Sequence, residues 1–310
     1  MLAAFVIGLI AGIASPMHAS VNGRIREDLK STYLTAINNF VVAGLIIAAI
    51  LMLTEHCISI PLGTIAEQPA WIWFGGPCGV VIVTLNVVCL PKLGSAANVM
   101  LICFGQIMSG LLVDQFGLFQ SPEIHMTWLR TIGAVLVIIG IVMVNGMKRD
   151  ASAGSGMLLY VILAILDGVA CTGQVAINGT LKNYAGSAFK ATLISMICGL
   201  ITAIIVSAMV YLIGGANALY DSGGPEGRKG IKPWMAVGPL IAIIIVGGNA
   251  VAAPVLGTGV TTMLNLVGMM GTGLLIDAVG FLGIEKKPVT MPKIIGMLLM
   301  LAGTALISLI

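Results

Sequence analysis

In the apolar stretch MLLYVILAILDGVACTGQVAIN, at 157–178, one carboxylate stands alone at Asp167. Cys171, Gln174 and Asn178 follow it at i+4, i+7 and i+11. That spacing puts the four on one helical stripe. At 1.5 Å per residue Asp167 lies about 15 Å along its helix, near the middle of a ~30 Å hydrocarbon core. A carboxylate there is costly and rarely faces lipid. Burial disfavours its charged form, so it would hold a proton until a cation displaces it. The plainer reading is a neutral Asp that hydrogen-bonds a neighbouring helix as packing glue. The first apolar stretch repeats the stripe as Ala11, Ser15, His18 and Asn22. Two oppositely running helices would then aim polar faces at each other. His18 is either a proton relay or a lone histidine bonded to a neighbour.

A second set of polar residues recurs. LLVDQFG at 111–117 and LLIDAVG at 274–280 place Asp114 and Asp277 in the same apolar setting. Each lies about 28 Å past the start of its stretch, at headgroup level. The expected role is structural, bonding backbone N–H groups near Gly117 or Gly280 to tie down the following loop. Asn86 and Asn249 recur near Pro91 and Pro254, as helix caps or as bonds between halves, with solute contact as the other reading. Gln106 and Ser109, with Asn265 and Thr272, fall at mid-depth. Gly105-x-x-x-Ser109 and Gly268-x-x-x-Thr272 favour close helix packing first and solute contact second. Met263, Met269 and Met270 suit an adaptable apolar wall or gap filling.

Several chemistries are excluded. There is no HExxH, and His56 and His125 lie in connections. Asp167 has no second carboxylate at its depth, so an aspartate dyad is missing. GGPCG at 75–79 lacks the Lys-Ser/Thr of a phosphate loop. The six cysteines show no C-x-x-C spacing and read as small hydrophobes. No metal site, cofactor motif or enzyme activity is expected. The net charge of +3 comes without a basic, aromatic-interleaved cluster, so no nucleic-acid partner is expected.

The elements that must position these residues follow from composition. Of 310 residues, 58% are hydrophobic and 9% charged, against about 25% charged in ordinary globular domains. Ten stretches are long and apolar enough to span a bilayer: 2–21, 33–53, 71–90, 95–116, 128–147, 157–177, 188–213, 233–253, 258–281 and 292–310. The first reads as a retained span rather than a signal peptide. The four tryptophans, Trp71, Trp73, Trp128 and Trp234, lie near span starts, where indole prefers the interface.

The chain repeats itself. VNGRIRE at 21–27 is answered by INGTLKN at 177–183, and WIWFGGPCGVVIVTLNVVCLPKLG at 71–94 by WMAVGPLIAIIIVGGNAVAAPVLG at 234–257. The offsets are 156 and 163, with an insertion around 214–232, itself read as a flexible connection. The expected organisation is a five-helix half at 1–147, a linker at 148–156 and a second five-helix half at 157–310. Five is odd, so the second half enters the membrane inverted. Of the 15 Lys and Arg, twelve fall in alternate connections, and only Arg130, Lys182 and Lys190 in the other set. The positive-inside rule then places both termini outside the cytoplasm.

VNGRIRE, PKLGSAA and GQIMSGLLVDQFGLF in the first half, with INGTLKN, PVLGTGV and GMMGTGLLIDAVGFLG in the second, resemble the YdcZ-like family of the drug/metabolite transporter superfamily, as a fused two-domain member. The resemblance implies ten α-helices in two antiparallel halves, in the plasma membrane. Ten-span relatives usually keep both termini in the cytoplasm, opposite to the charge count here. The expected function is a secondary transporter, proton-coupled, exporting a small organic or drug-like solute by alternating access. A non-transporting scaffold or lipid-handling protein is the alternative, and an intramembrane enzyme the weakest. The expected partners are a small-molecule substrate and the lipid bilayer. With both halves in one chain, a monomer is complete.

Overall fold

Backbone groups in an apolar chain must be satisfied internally, which favours helices. The computed structural model describes residues 1–54, 60–93, 95–145, 157–221, 223–279 and 290–308, apart from the side chains of 86, 87, 90–92, 95–97, 144, 145, 276, 277, 279 and 308. The described residues are helical and contain no strand. The helices are α1 (Leu2–Leu29), α2 (Thr32–Thr54), the short α3 (Leu62–Ala66), α4 (Gly75–Leu93), α5 (Ser95–Phe116), α6 (Trp128–Asn145), α7 (Met157–Ala185), α8 (Ala188–Gly214), α9 (Val237–Leu256), α10 (Thr258–Val279) and α11 (Met291–Ser308). Six, in α1, α2, α5, α7, α8 and α9, are long and apolar enough to cross a membrane. Shorter apolar segments lie at 75–85, 128–143 and 291–307. Outward faces carry large apolar residues such as Leu45, Ile204, Ile213 and Leu298, a surface suited to lipid rather than water.

Two helices run past their expected ends. α1 continues through VNGRIRED to Leu29, where Lys30 turns left-handed at φ 55° and its N–H bonds the Arg26 carbonyl at 2.7 Å. α7 continues to Ala185 rather than stopping near 177. Both extensions hold Asn, Gly and basic residues, which are weak formers inside lipid but helical at its rim.

The packing follows a pattern. α1 packs against α9 and α10, α7 against α4 and α5, α2 against α8, and α6 against α11. Exchanging α1 with α7, α2 with α8, α4 with α9, α5 with α10 and α6 with α11 returns the same set of pairs. Glycines allow these backbones to touch. A β-carbon on Gly268 of α10 would sit 2.7 Å from the Leu9 carbonyl of α1, and Gly105 of α5 meets the Ile165 carbonyl of α7. Gly105 and Gly268 are the two small-x-x-x-small glycines, so both serve close packing as expected. In α6 and α11, β-carbons on Gly133 and Gly140 would lie 2.6 and 2.5 Å from the carbonyls of Gly303 and Gly296.

The connections sort by end. At one end the 22–32 turn meets residues 215–232. At the other, Ile65 and Ile72 pack against Leu181 and Ala185, while residues 117–127 meet the ends of α7 and α9. The 214–232 connection is more than a flexible link. Asp221 accepts from Arg26 Nε at 2.5 Å and from Thr32 Oγ1 at 3.1 Å, Ser31 Oγ donates to the Leu219 carbonyl at 2.5 Å, and Lys229 Nζ reaches Asp28 at 2.6 Å. A short 3-10 turn at Ala216–Leu219 orders its start. The expected linker at 148–156, together with Lys286 and Lys287, lies outside the described residues.

Candidate functional site

Asp167 is the eleventh of the 29 residues of α7 and is fully buried. The next residue, Gly168, presses on α5, where a β-carbon would lie 2.8 Å from the Gln106 N–H nitrogen. Thr172 Oγ1 donates to the Gln106 carbonyl at 3.1 Å. Cys171 Sγ lies 3.8 Å from Asp167 Oδ1. The stripe that begins at Asp167 therefore faces α5 and α4. Its far end agrees, since Gln174 Nε2 donates to the Gly75 carbonyl at the start of α4, at 2.9 Å. Asn178 is buried there against Gly75, and its Oδ1 meets no hydrogen-bond donor among the described residues.

The stripe on α1 faces elsewhere. Asn22 Nδ2 lies 2.8 Å from His18 Nε2, and Asn39 Nδ2 of α2 donates to Asn22 Oδ1 at 2.9 Å. His18 Nε2 is also 3.4 Å from Asn39 Oδ1. Ser15 spends its hydroxyl on the Ala11 carbonyl of its own helix, at 3.2 Å. The expected meeting of the two stripes is thus not what the packing gives. Each stripe is a separate nest against different helices, because α1 and α7 each pack chiefly on the α4/α5 or α9/α10 pair of the opposite half. Ala11, the counterpart of Asp167, is fully buried, and a β-carbon on Gly248 would lie 3.3 Å from its Cβ.

Asp167 lines neither of two clefts that the described residues outline. One lies between α2, α4 and α8. The other, at the opposite end, is bordered by Ser121, Gly179, Thr180 and Pro254. No group of three His, Cys, Asp or Glu side chains suited to a metal occurs among the described residues.

Asp114 does not cap its own loop through nearby N–H groups. Its Oδ2 pairs with Arg130 Nη2 at 2.6 Å, and its Oδ1 accepts the Gly259 N–H of α10 at 3.0 Å. The loop is still tied down, since Arg130 Nη1 donates to the Ile124 carbonyl at 2.7 Å and the Ile124 N–H bonds the Asp114 carbonyl at 2.8 Å. Arg130 thus leaves the set of exposed basic residues that opposed the charge bias. The side chain of Asp277 lies outside the described residues. So does that of Asn86. Asn249 bonds within its own half, accepting from Asn265 Nδ2 of α10 at 2.8 Å.

Reading the residues alone missed Asn39, Arg130 and Asp221. Two signals were present. Asn38-Asn39 is a polar pair inside an apolar span, and a basic residue follows each recurrent Asp by the same interval, Arg130 after Asp114 and Lys293 after Asp277.

A family model described as "Putative inner membrane exporter, YdcZ" matches residues 3–143 and 159–306. A comparison with the curated proteins gives no match. One solved structure, described as a crystal structure of protein, is 18% identical with a TM-score of 0.62, over 100% of this chain and 97% of that one. At that identity the likeness concerns the fold alone. The family match runs through both halves and nearly the whole length. This chain is a membrane protein and belongs to the YdcZ family, the family that this model describes.

Proposed function

We propose that the protein is a secondary transporter that exports a small organic solute in exchange for protons. Its two inverted five-helix halves alternate access by rocking against each other. The observation that carries this reading is the helix pairing, in which α1 on α9 and α10 exchanges with α7 on α4 and α5, while α2 on α8 and α6 on α11 map onto themselves. Packing of that kind offers two arrangements of similar energy, one for each side of the membrane. All ten long helices then cross the bilayer. The turn at 22–32 and the strap at 215–232 bring six basic residues to one end, which supports a cytoplasmic position there and termini outside.

Asp167 is the proton site in this reading. It is a fully buried carboxylate inside a membrane-spanning helix, and one half has it while the other has Ala11. With both halves in one chain, the monomer is the working unit.

The test is proton release from purified, weakly buffered protein on adding organic cations, amino acids, sugars or nucleosides. Wild type is expected to release protons with one class, and Asp167→Asn to bind that class without release. Proton release by Asp167→Asn equal to wild type overturns the assignment. Binding without release in wild type points to an uncoupled carrier.

A further inference from the structure

The exchange of halves that maps the main helix pairs onto one another fails towards one end: α7 packs closely on α9, while the exchanged pair, α1 and α4, makes no comparable contact. Between α2, α4 and α8, on the α1 end, lies a cleft lined by Ala36, Val80, Val83, Thr84, Ala203 and Ser207 among others. About 10 Å³ of it is roomy enough for a water, within about 260 Å³ of unfilled space that includes its open mouth. The counterparts at the other end, at offsets of 156 and 163, are Thr192, Ile243, Val246, Gly247, Ile47 and Leu51. There the equivalent space between α2, α8 and α9 is filled, and the cleft at that end lies apart from it, beside Ser121, Pro122 and the ends of α7 and α9. Ile47, Leu51, Leu193, Met196 and Ile243 form one apolar cluster, with Ile47 and Leu51 fully buried. Thr192 Oγ1 would lie 3.3 Å from a β-carbon on Gly247.

The difference is written in residue size. Ala36 stands where the filled end has Thr192, Val80 where it has Ile243, Ala203 where it has Ile47, and Ser207 where it has Leu51. Thr84 against Gly247, Thr32 against Ala188 and Tyr33 against Phe189 go the other way. The ends of α1 and α7 differ in the same sense. Every residue from Val175 to Leu181 is buried, and a β-carbon on Gly179 would lie 3.1 Å from Ala253 and 3.2 Å from Pro254. Its counterpart Gly23 is exposed, as are Ala19 and Arg24.

We propose that the α2/α4/α8 cleft is the mouth through which the solute enters, and that Ile47, Leu51 and Ile243 are the seal at the far end. This rests on the transporter reading and adds to it a path and a class of solute. The mouth is lined by the hydroxyl residues Thr32, Tyr33, Thr84 and Ser207 and by small aliphatic side chains, with no charged side chain among them. Thr84 and Ser207 already donate to carbonyls of their own helices, at 2.8 and 2.7 Å, so their oxygens face the cleft as acceptors. The lining fits an uncharged solute with apolar bulk and a hydrogen-bond donor. On the charge reading this is the cytoplasmic end, the side from which an exporter loads.

The test compares thiol labelling of Ser207→Cys and its counterpart Leu51→Cys, each in a Cys57→Ser background, by a small hydrophilic maleimide without solute. Ser207→Cys is expected to react about tenfold faster than Leu51→Cys above the background rate. Equal rates, or faster labelling at Leu51→Cys, overturn the assignment of mouth and seal. If Leu51→Cys fails to fold, Thr84→Cys and Ile47→Cys provide the same contrast. Labelling needs no transport, so a protein that moves no solute but labels unequally fails the functional reading and keeps this one. A Ser207→Leu variant, which copies the sealed end, is expected to keep its melting temperature and lose uptake of uncharged solutes into inside-out vesicles. Unchanged uptake by that variant also overturns the proposal.

Discussion

Asp114 and Arg130 lie sixteen residues apart, at the end of α5 and the start of α6, and form an ion pair of 2.6 Å with neither side chain more than 1% exposed. Such a pair gives up its water, and attraction alone rarely compensates for that loss. Here further bonds help. The Gly259 N–H and the Ile124 carbonyl take up one more lone pair and one more donor. The pair thereby joins α5, α6 and α10 with the loop between the first two.

Removing one partner should be worse than removing both. Arg130→Met leaves a buried carboxylate unpaired and is expected to cost about 3–5 kcal/mol. Adding Asp114→Asn to that variant should recover most of the loss, since Asn keeps an acceptor for the Gly259 N–H. Denaturant unfolding in detergent decides this, and a double variant no better than the single one would contradict it.

The glycine contacts between α6 and α11 should tolerate no side chain. Gly140→Val places methyl groups where the Gly296 carbonyl and Met300 already are. Overpacking of this kind costs about 1–3 kcal/mol, or more where backbone is the obstacle. Gly44→Ala, in α2 with no atom within 4 Å of its β-position, should be neutral or stabilise by up to about 1 kcal/mol. Melting temperatures of the two variants, side by side, test the contrast.

Asn39 is the donor that satisfies Asn22 in the α1 nest. Asn39→Ala leaves the Asn22 oxygen and His18 with one partner fewer, at an expected cost of about 1–3 kcal/mol. The corresponding position in the second half is Ser195, beside an Asn178 whose oxygen already lacks a donor. Ser195→Ala should therefore destabilise less than Asn39→Ala, which thermal unfolding can measure.

Asp221 holds the strap to the 22–32 turn through Arg26 and Thr32. These groups are partly exposed, so little global stability is at stake. Local order is another matter. Asp221→Ala should speed tryptic cleavage after Arg228 and Lys229, while the melting temperature stays put. Cleavage at the wild-type rate would mean that the Lys229–Asp28 pair suffices alone.

The helical elements were legible in the sequence because their signal is local. An apolar run of about twenty residues and a Gly-x-x-x-Ser spacing carry their meaning wherever they dock. Gly105 and Gly268 accordingly pack where the pattern pointed. The partners of polar groups were less legible, because periodicity says which residues share a face and not what that face meets. The stripes of Asp167 and His18 were real, yet they turn to different helices. Asp114 was read against its own loop when its partners lie in α6 and α10. The strap at 215–232 looked loose because its Gly-rich composition hides four specific bonds made by Ser31, Asp28 and Asp221.

The crossing of α6 and α11 carries one more consequence. Gly133 touches Gly303, and Gly140 touches Gly296. Gly296 and Gly303 are themselves the repeats of Gly133 and Gly140. Each residue thus meets the copy of its partner, the reciprocity of an isologous interface between identical subunits. In a dimer of separate chains, every substitution appears on both sides of the axis at once. Joining the halves ends that bond between mutations. Asp167 opposite Ala11, and Ser207 opposite Leu51, are pairings that no dimer of identical chains can make. A fused chain is free to be polar on one side of its own axis and apolar on the other.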